Sequence, residues 1–191
     1  EYQGPKVSGA TVGVWAHVPF KEDRIMQVAQ FSGDTYKIDL PLKSRPDREK
    51  IKEEMEEWKA KELEAEEQGD DTKALDYRAH SERALRWMGR LDSIPPGKTY
   101  PMPFSVYRMG NAIWVTCGGE PYQLIQTELR KKFPEFAILF SPLVGIMNIA
   151  YLLPRGSYGK GLYQEEVSLL APGSLEILTE AISDKIEEII N

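Results

Sequence analysis

Trp114–Pro134 reads WVTCGGEPYQLIQTELRKKFP. Aromatic and β-branched residues at its start predict a buried strand, Gly118-Gly119 a turn, and Leu124, Ile125 and Leu129 the apolar face of a helix over 120–132. Glu128, Arg130, Lys131 and Lys132 fall towards solvent or the helix end. One carboxylate, Glu120, sits at the turn. Three readings of it are open: a first-turn residue that complements the helix dipole, a metal ligand, or a catalytic acid/base. The apolar run FAILFSPLVG (136–145) follows as a further buried strand, and NIAYLLP (148–154) as another short one. Strand–helix–strand order of this kind implies α/β layer packing.

Outward from that stretch, FSVYRMGNAIWVTCGGE (104–120) reads as strand, Gly-Asn turn, strand, after a proline-rich lead-in, SIPPGKTYPMP (93–103). Towards the amino terminus, residues 1–45 hold three extended runs: ATVGVWAHVPF (10–20), RIMQVAQF (24–31) and TYKIDLPL (35–42). In the last of these Tyr36, Ile38 and Leu40 alternate with Lys37 and Asp39, the pattern of a half-buried strand. Ser32-Gly33-Asp34 between two such runs suggests a hairpin turn. At the carboxyl end, PGSLEILTEAISDKIEEII (172–190) is an amphipathic helix with Ser174 as its expected N-cap. Leu175, Leu178, Ala181, Ile182, Ile186 and Ile189 form its stripe.

Residues 47–92 differ in character. Ile51, Met55, Trp58 and Glu62 or Leu63 fall at helical spacing, as do Leu75, Ala79, Leu85, Met88 and Leu91. Gln68-Gly69-Asp70-Asp71-Thr72 breaks the run, with Gly69 suited to end one helix and Asp70, Asp71 or Thr72 to cap the next. The first arm, 47–71, carries twelve acidic residues against five basic; the second, 72–92, carries five basic against three acidic. Antiparallel pairing sets these unlike charges side by side, although each exposed pair adds only about 0.2–0.5 kcal/mol. Apolar burial must therefore hold the hairpin.

The fold class that follows is α/β: a mixed β-sheet packed with helices, plus a projecting charged antiparallel helical hairpin. The sheet draws on segments around 10–42 and 101–153, packed against helices 120–132 and 174–190. Trp114, Val115, Ile138, Leu139 and Phe140 are expected in the core, with Glu53, Glu56, Glu57 and Glu66 solvated. Residues 1–191 read as one domain with the hairpin inserted at about 47–92.

Composition narrows function. The chain has 191 residues, 41% hydrophobic and 28% charged, which is globular rather than disordered. A net charge of −6 argues against a nucleic-acid partner. The single cysteine, Cys117, excludes an internal disulfide and a cysteine-rich zinc site, and its apolar strand makes it inert core rather than a nucleophile. No eighteen-residue apolar span predicts a transmembrane helix. The absence of an initial Met or signal peptide suggests a start inside a longer protein, so the compartment is open: a soluble protein, with a secreted or periplasmic full-length form among the options. No phosphate loop, dinucleotide fingerprint, nucleophile elbow or His-Glu-x-x-His stands in the sequence. GSYGKG (156–161) does not lie at a strand–helix turn, as a phosphate cradle requires. His17 and His80 are isolated, His80 among surface arginines. Tyr151, Tyr158 and Tyr163 share an irregular, glycine-rich segment of the kind that presents side chains.

Three ordered stretches, together with the charged hairpin, carry a family likeness across residues 36–190. WVTCGGEPYQLIQTELRKKFP, NIAYLLPRGSY and LYQEEVSLLAPGSLEILTEAI resemble the carboxyl-terminal half of the catalytic domain of neutral/alkaline ceramidases and their uncharacterised bacterial relatives. The resemblance implies a zinc-dependent amide hydrolase whose metal is held by histidines, a glutamate and a tyrosine. Glu120 matches the glutamate of the Gly-Glu motif, and Tyr158 the tyrosine closing the Tyr-x-x-Pro segment. The two should then point into one cleft, with Tyr151, Tyr163 and Asn148 as further pocket residues. The family's histidines and catalytic groups lie upstream of the matched region, and neither His17 nor His80 stands in a family ligand motif. The expectation is thus that zinc belongs to the complete protein, that this chain alone holds none and is inactive, and that the amino-terminal part of the same protein is its partner. A sphingolipid or another amide is the implied substrate. A non-catalytic scaffold or binding domain of a ceramidase-like relative is the alternative.

Overall fold

Tyr100, Met102, Phe104 and Val106 alternate with Pro101, Pro103, Ser105 and Tyr107, and only the first set is buried. That period-two pattern builds the central strand of the fold. The computed structural model of the chain describes residues 6–7, 10–11, 30–145 and 149–191. Most of the runs at 10–20 and 24–31, with His17 and Asn148, lies outside the described residues.

Two short strands, β1 (Lys6–Val7) and β2 (Ala10–Thr11), pair with each other. The main sheet comprises β3 (Phe31–Pro41), β4 (Thr99–Met109), β5 (Ala112–Cys117) and β7 (Ala137–Ser141), in the order β3-β4-β5-β7. The β3–β4 and β4–β5 pairs are antiparallel; β5 and β7 are parallel. The sheet is therefore mixed, and with its helices it forms the α/β fold the sequence predicts. Gly110 and Asn111 make the expected β4–β5 turn, Gly110 with φ 62°. Pro101 and Pro103 do not merely lead into β4 but form part of it. They pair with Asp39 and Lys37, beyond Phe104, where pairing with β5 stops, so their missing N–H groups break no second ladder.

Ser32-Gly33-Asp34 is not a turn. All three residues lie within β3, opposite Arg108, Tyr107 and Val106. Gly33 has φ 136°, and a Cβ there would stand 2.1 Å from the Val106 carbonyl oxygen. Glycine at this point serves close strand approach rather than chain reversal.

Helices α3 (Leu124–Lys132) and α5 (Ser174–Ile190) cover one face of the sheet. Ile125, Leu129 and Phe133 meet Leu175, Leu178, Ile182 and Ile186 over Leu40, Met102, Val106, Ile113, Val115 and Ile138. The residue before α5 in cap position is Gly173, one earlier than Ser174, whose Oγ instead donates to the carbonyls of Ala171 (2.8 Å) and Pro41 (3.3 Å). The other sheet face carries more exposed side chains among the described residues. Trp114 and Leu139 point that way and are 39% and 51% exposed, while Phe140 is half-buried. Of the expected core residues, Val115 and Ile138 alone are fully inside. An apolar run does not reveal which of its faces is covered, and among the described residues β7 has one partner strand, β5.

The hairpin forms as α1 (Arg48–Glu67) and α2 (Asp71–Ser93). Asp47 accepts a hydrogen bond from the Glu49 N–H, and Asp70 accepts one from the Lys73 N–H, closing both amino termini. Arg78 bridges Glu62 (2.6 Å) and Glu66 (2.9 Å), and Arg48 pairs with Asp92. Trp58 stacks on His80 at 4.3 Å and Tyr77 at 5.6 Å. His80 is thus half-buried in an aromatic stack rather than lying on the open surface. The inward face of α2 differs from the expected stripe: Leu75 and Leu85 are exposed, and Ala74, Ser81 and Ala84 are buried. Small residues let the two helices approach, so size and not hydrophobicity marks the seam. Glu53, Glu56, Glu57 and Glu66 are solvated as expected.

Burial separates two leucines that look alike in sequence. Leu178→Ala, which empties a fully enclosed site, should cost about 2–5 kcal/mol in denaturant unfolding. Leu139→Ala, on the more exposed face, should cost less than about 1 kcal/mol.

Candidate functional site around Glu120

The helix expected from residue 120 begins only at Leu124. Gln123 precedes it without a side-chain capping bond, and the first turn holds no acidic residue. Glu120 therefore does not complement that helix end. It stands instead on β6 (Glu120–Pro121), which pairs in parallel with β8 (Tyr151–Leu152). The Glu120 N–H donates to the Ala150 carbonyl at 2.8 Å, and the Tyr122 N–H to the Leu152 carbonyl at 3.0 Å. In a parallel ladder alternate residues bond to the same neighbour, so Pro121, between them, loses nothing by having no donor.

Backbone conformation makes this pairing possible. Gly119 has φ +68°, and a Cβ there would meet Leu152 Cδ1 at 2.8 Å and the Ala150 carbonyl oxygen at 2.9 Å. Across the pair, buried Ala150 is itself left-handed, with φ 54°. A non-glycine residue in that region costs roughly 1–2 kcal/mol, which the surrounding ladder and core must offset.

The pairing sets the Glu120 and Tyr151 side chains beside each other. Burial, then the negative charge of Glu120 and hydrogen bonding to its carboxylate, raise the Tyr151 phenol above its ordinary pKa. The Tyr151 ring meets Tyr163 edge-on at 6.3 Å. Tyr163 opens α4 (Tyr163–Val167), and Ser168 Oγ, just past that helix, donates to the Tyr151 carbonyl at 2.6 Å. Tyr122, whose N–H bonds the Leu152 carbonyl, and Arg90 of α2, which bonds the Val167 carbonyl at the end of α4, flank the pair. Tyr122 is among the neighbours that raise Tyr151. Burial pulls the Arg90 guanidinium down, against the opposing influence of Tyr163, Tyr151 and Glu120. Glu120, Tyr122, Tyr151 and Arg90 are half-buried, and Tyr163 is exposed.

Tyr158 is engaged elsewhere. Its hydroxyl donates to the Leu170 carbonyl at 3.0 Å, and Lys43 Nζ lies 5.4 Å from its ring centre. Burial raises its pKa, and the Glu165 and Glu176 carboxylates add to the rise. Of the residues singled out from sequence, the structure thus brings together Glu120, Tyr151 and Tyr163, ties Tyr158 into a neighbouring clasp, and does not describe Asn148. Sequence reasoning missed Tyr122 and Arg90. Reading Gly-Glu-Pro-Tyr as a strand would have put Tyr122 on the same side as Glu120; Arg90, on the distant hairpin, carries no such signal.

Among the described residues no three His, Cys, Asp or Glu side chains converge as a metal site. Glu120 and Tyr151 are oxygen donors that suit a zinc ion as members of a ligand set, but they do not make a set by themselves. Cys117 contributes nothing: it is 1% exposed, and burial pushes its thiol up to about 12. Among the described residues no helix is long and apolar enough to cross a membrane. No protein-family model, curated protein or solved structure matches the chain.

Two outcomes test this geometry. Glu120→Gln removes the charge beside Tyr151, so the high-pKa phenol should titrate at lower pH in the variant, read from tyrosine ring carbon shifts with Tyr151→Phe assigning the signal. Gly119→Ala should destabilise the fold by more than about 1 kcal/mol and move the same signal down, because Glu120 is displaced. A Tyr151 titration indifferent to both changes would separate the two side chains. Native Cys117 should also resist thiol reagents at pH 8 and react only on unfolding.

Proposed function

We propose that the chain is part of an amide hydrolase of the neutral ceramidase-like type, contributing Glu120 and Tyr151 to a site completed by groups from the amino-terminal part of the same protein. The observation that carries this reading is the β6–β8 pairing, which holds a carboxylate and a phenol side by side at a strained, glycine-dependent point of the backbone. Strain of that kind clusters at functional sites. The motif resemblance assigned the phenol to Tyr158; the β6–β8 register favours Tyr151 for the role, because it sets Tyr151 directly opposite Glu120, while the Tyr158 hydroxyl bonds the Leu170 carbonyl.

In the complete protein Glu120 and Tyr151 would be two oxygen ligands of zinc, and upstream histidines the rest. When bound, zinc supplies Lewis-acid polarisation of an amide carbonyl and a more acidic water. This chain's residues have their own work. Glu120, fixed by its backbone bond to Ala150, presents a carboxylate that accepts hydrogen bonds or a proton. Tyr151, set opposite Glu120 across the β6–β8 pair, is a neutral phenol whose pKa burial and the Glu120 charge raise above its ordinary value. The Tyr151 and Tyr163 rings, edge-on to each other, supply surface for an acyl chain. The substrate class is an amide with an apolar acyl group, a sphingolipid amide among them.

The test is zinc content and amide hydrolysis of the full-length protein and three variants. Glu120→Ala and Tyr151→Phe should each weaken zinc retention at least about tenfold, in line with loss of a ligand or its partner, and lower turnover of a fluorogenic N-acyl amide. Tyr158→Phe should lower stability by about 1 kcal/mol, the worth of a hydrogen bond, and spare zinc. Full zinc binding by Glu120→Ala would remove Glu120 from the ligands. A full-length protein with neither zinc nor amide turnover would leave a scaffold or binding domain as the function.

A further inference from the structure

Helix α2 carries four arginines, and three of them are spoken for. Arg78 holds Glu62 and Glu66, Arg83 holds Glu166 at 3.0 Å, and Arg86 reaches Glu82 at 3.5 Å. Arg90 differs. It is half-buried, it rests 5.6 Å from the Trp87 ring centre, and its hydrogen bond is a long one, 3.4 Å, to the Val167 carbonyl. Among the described residues it makes no ion pair. Among the described residues most of its N–H donors have no partner, an expensive condition for a cation partly withdrawn from water.

Its position is fixed by contacts at both ends of α4. Val167 closes that helix and takes the Arg90 bond; Tyr163 opens it and packs against Tyr151. Ser168, the next residue, bonds the Tyr151 carbonyl, and Tyr151 pairs with Glu120. Arg83 pins the same short helix through Glu166. The hairpin therefore does more than project from the fold. Its second helix braces α4 and brings an uncommitted guanidinium to the edge of the Glu120–Tyr151–Tyr163 group.

We propose that Arg90 is a specificity-determining residue that binds the carboxylate of an N-acyl amino acid whose acyl chain lies on the Tyr151 and Tyr163 rings. A guanidinium and a carboxylate match in a planar, two-bond geometry that an ammonium cannot reproduce. The chain's net charge of −6 repels anions in general, so an unpaired arginine here gives local selectivity. The inference rests on the hydrolase reading for its substrate class but not for its binding.

The experiment uses N-hexanoylglycine and its neutral counterpart N-hexanoylglycinamide, titrated by calorimetry into the full-length protein and its R90Q and R90K variants, each checked for helix content by circular dichroism. The wild type should bind the glycine at least about tenfold tighter than the glycinamide, the effect of one charged hydrogen-bonded pair. R90Q should lose that preference and keep its affinity for the glycinamide, and R90K should recover part of it. If R90Q does not fold, the wild-type preference and its reduction in R90K decide. Equal binding of the two compounds by the wild type, no binding of either, or equal weakening of both in the variants would overturn the proposal. Turnover of the same compounds is read separately. Carboxylate preference without hydrolysis refutes the hydrolase reading and keeps Arg90; hydrolysis without preference does the reverse.

Discussion

The short parallel pairing of Glu120-Pro121 with Tyr151-Leu152 is the constraint on which the site depends. It turns a stretch that would otherwise run straight into a helix into a strand, and so delays α3 to Leu124. It requires glycine at 119, tolerates proline at 121, and holds Ala150 in a left-handed conformation. A two-residue ladder cannot stabilise such a backbone alone. Its neighbours do: Ile149, Leu152 and Leu153 are wholly buried, and a Cβ on Gly119 would meet Leu152, the Ala150 carbonyl and Ile149. The site is thus a consequence of core packing beneath it, and its side chains are the ones that packing leaves at the surface.

The larger architecture serves the same end. The crossover from β5 to β7 must pass over the sheet, and α3 within it packs against α5 to close one face. The β6–β8 pair branches from that crossover. The hairpin reaches the site by way of α4, by Arg83 to Glu166 and Arg90 to Val167. Surface ion pairs of the Arg83 kind contribute little, roughly 0–1 kcal/mol, so they orient α4 rather than hold the fold.

Much of the fold was legible. Alternation marked the second half of β3, Gly110-Asn111 the link from β4 to β5, and a broken charged run the helical hairpin, with Asp70 one of three candidate caps. These features are local: each depends on residues within a turn or two. Long-range choices were not legible. Pro121 and Glu120 resemble the first turn of a helix, where both residue types are favoured, and only the partner strand thirty residues on redirects them. Leu75, Leu85 and Leu139 look interior, yet which face is covered depends on what lies against it. In the site, Glu120, Tyr151 and Tyr163 were visible as chemistry-bearing residues in suspect loops. The choice between Tyr151 and Tyr158 was not, because both occupy one irregular segment and only the fold sends the first to Glu120 and the second to Leu170. Arg90 had no local mark at all.

Everything said of the site follows from Glu120 being on a strand. Amide exchange and short-range nuclear Overhauser effects over residues 117–126 test that most directly. The Glu120 and Tyr122 amides should exchange slowly, protected by their bonds to Ala150 and Leu152, and should show cross-strand contacts to residues 150–152. Successive amide–amide contacts through Glu120, Tyr122 and Gln123, with Glu120 exchanging as freely as an unpaired chain, would make it a helix-terminal residue and contradict the account.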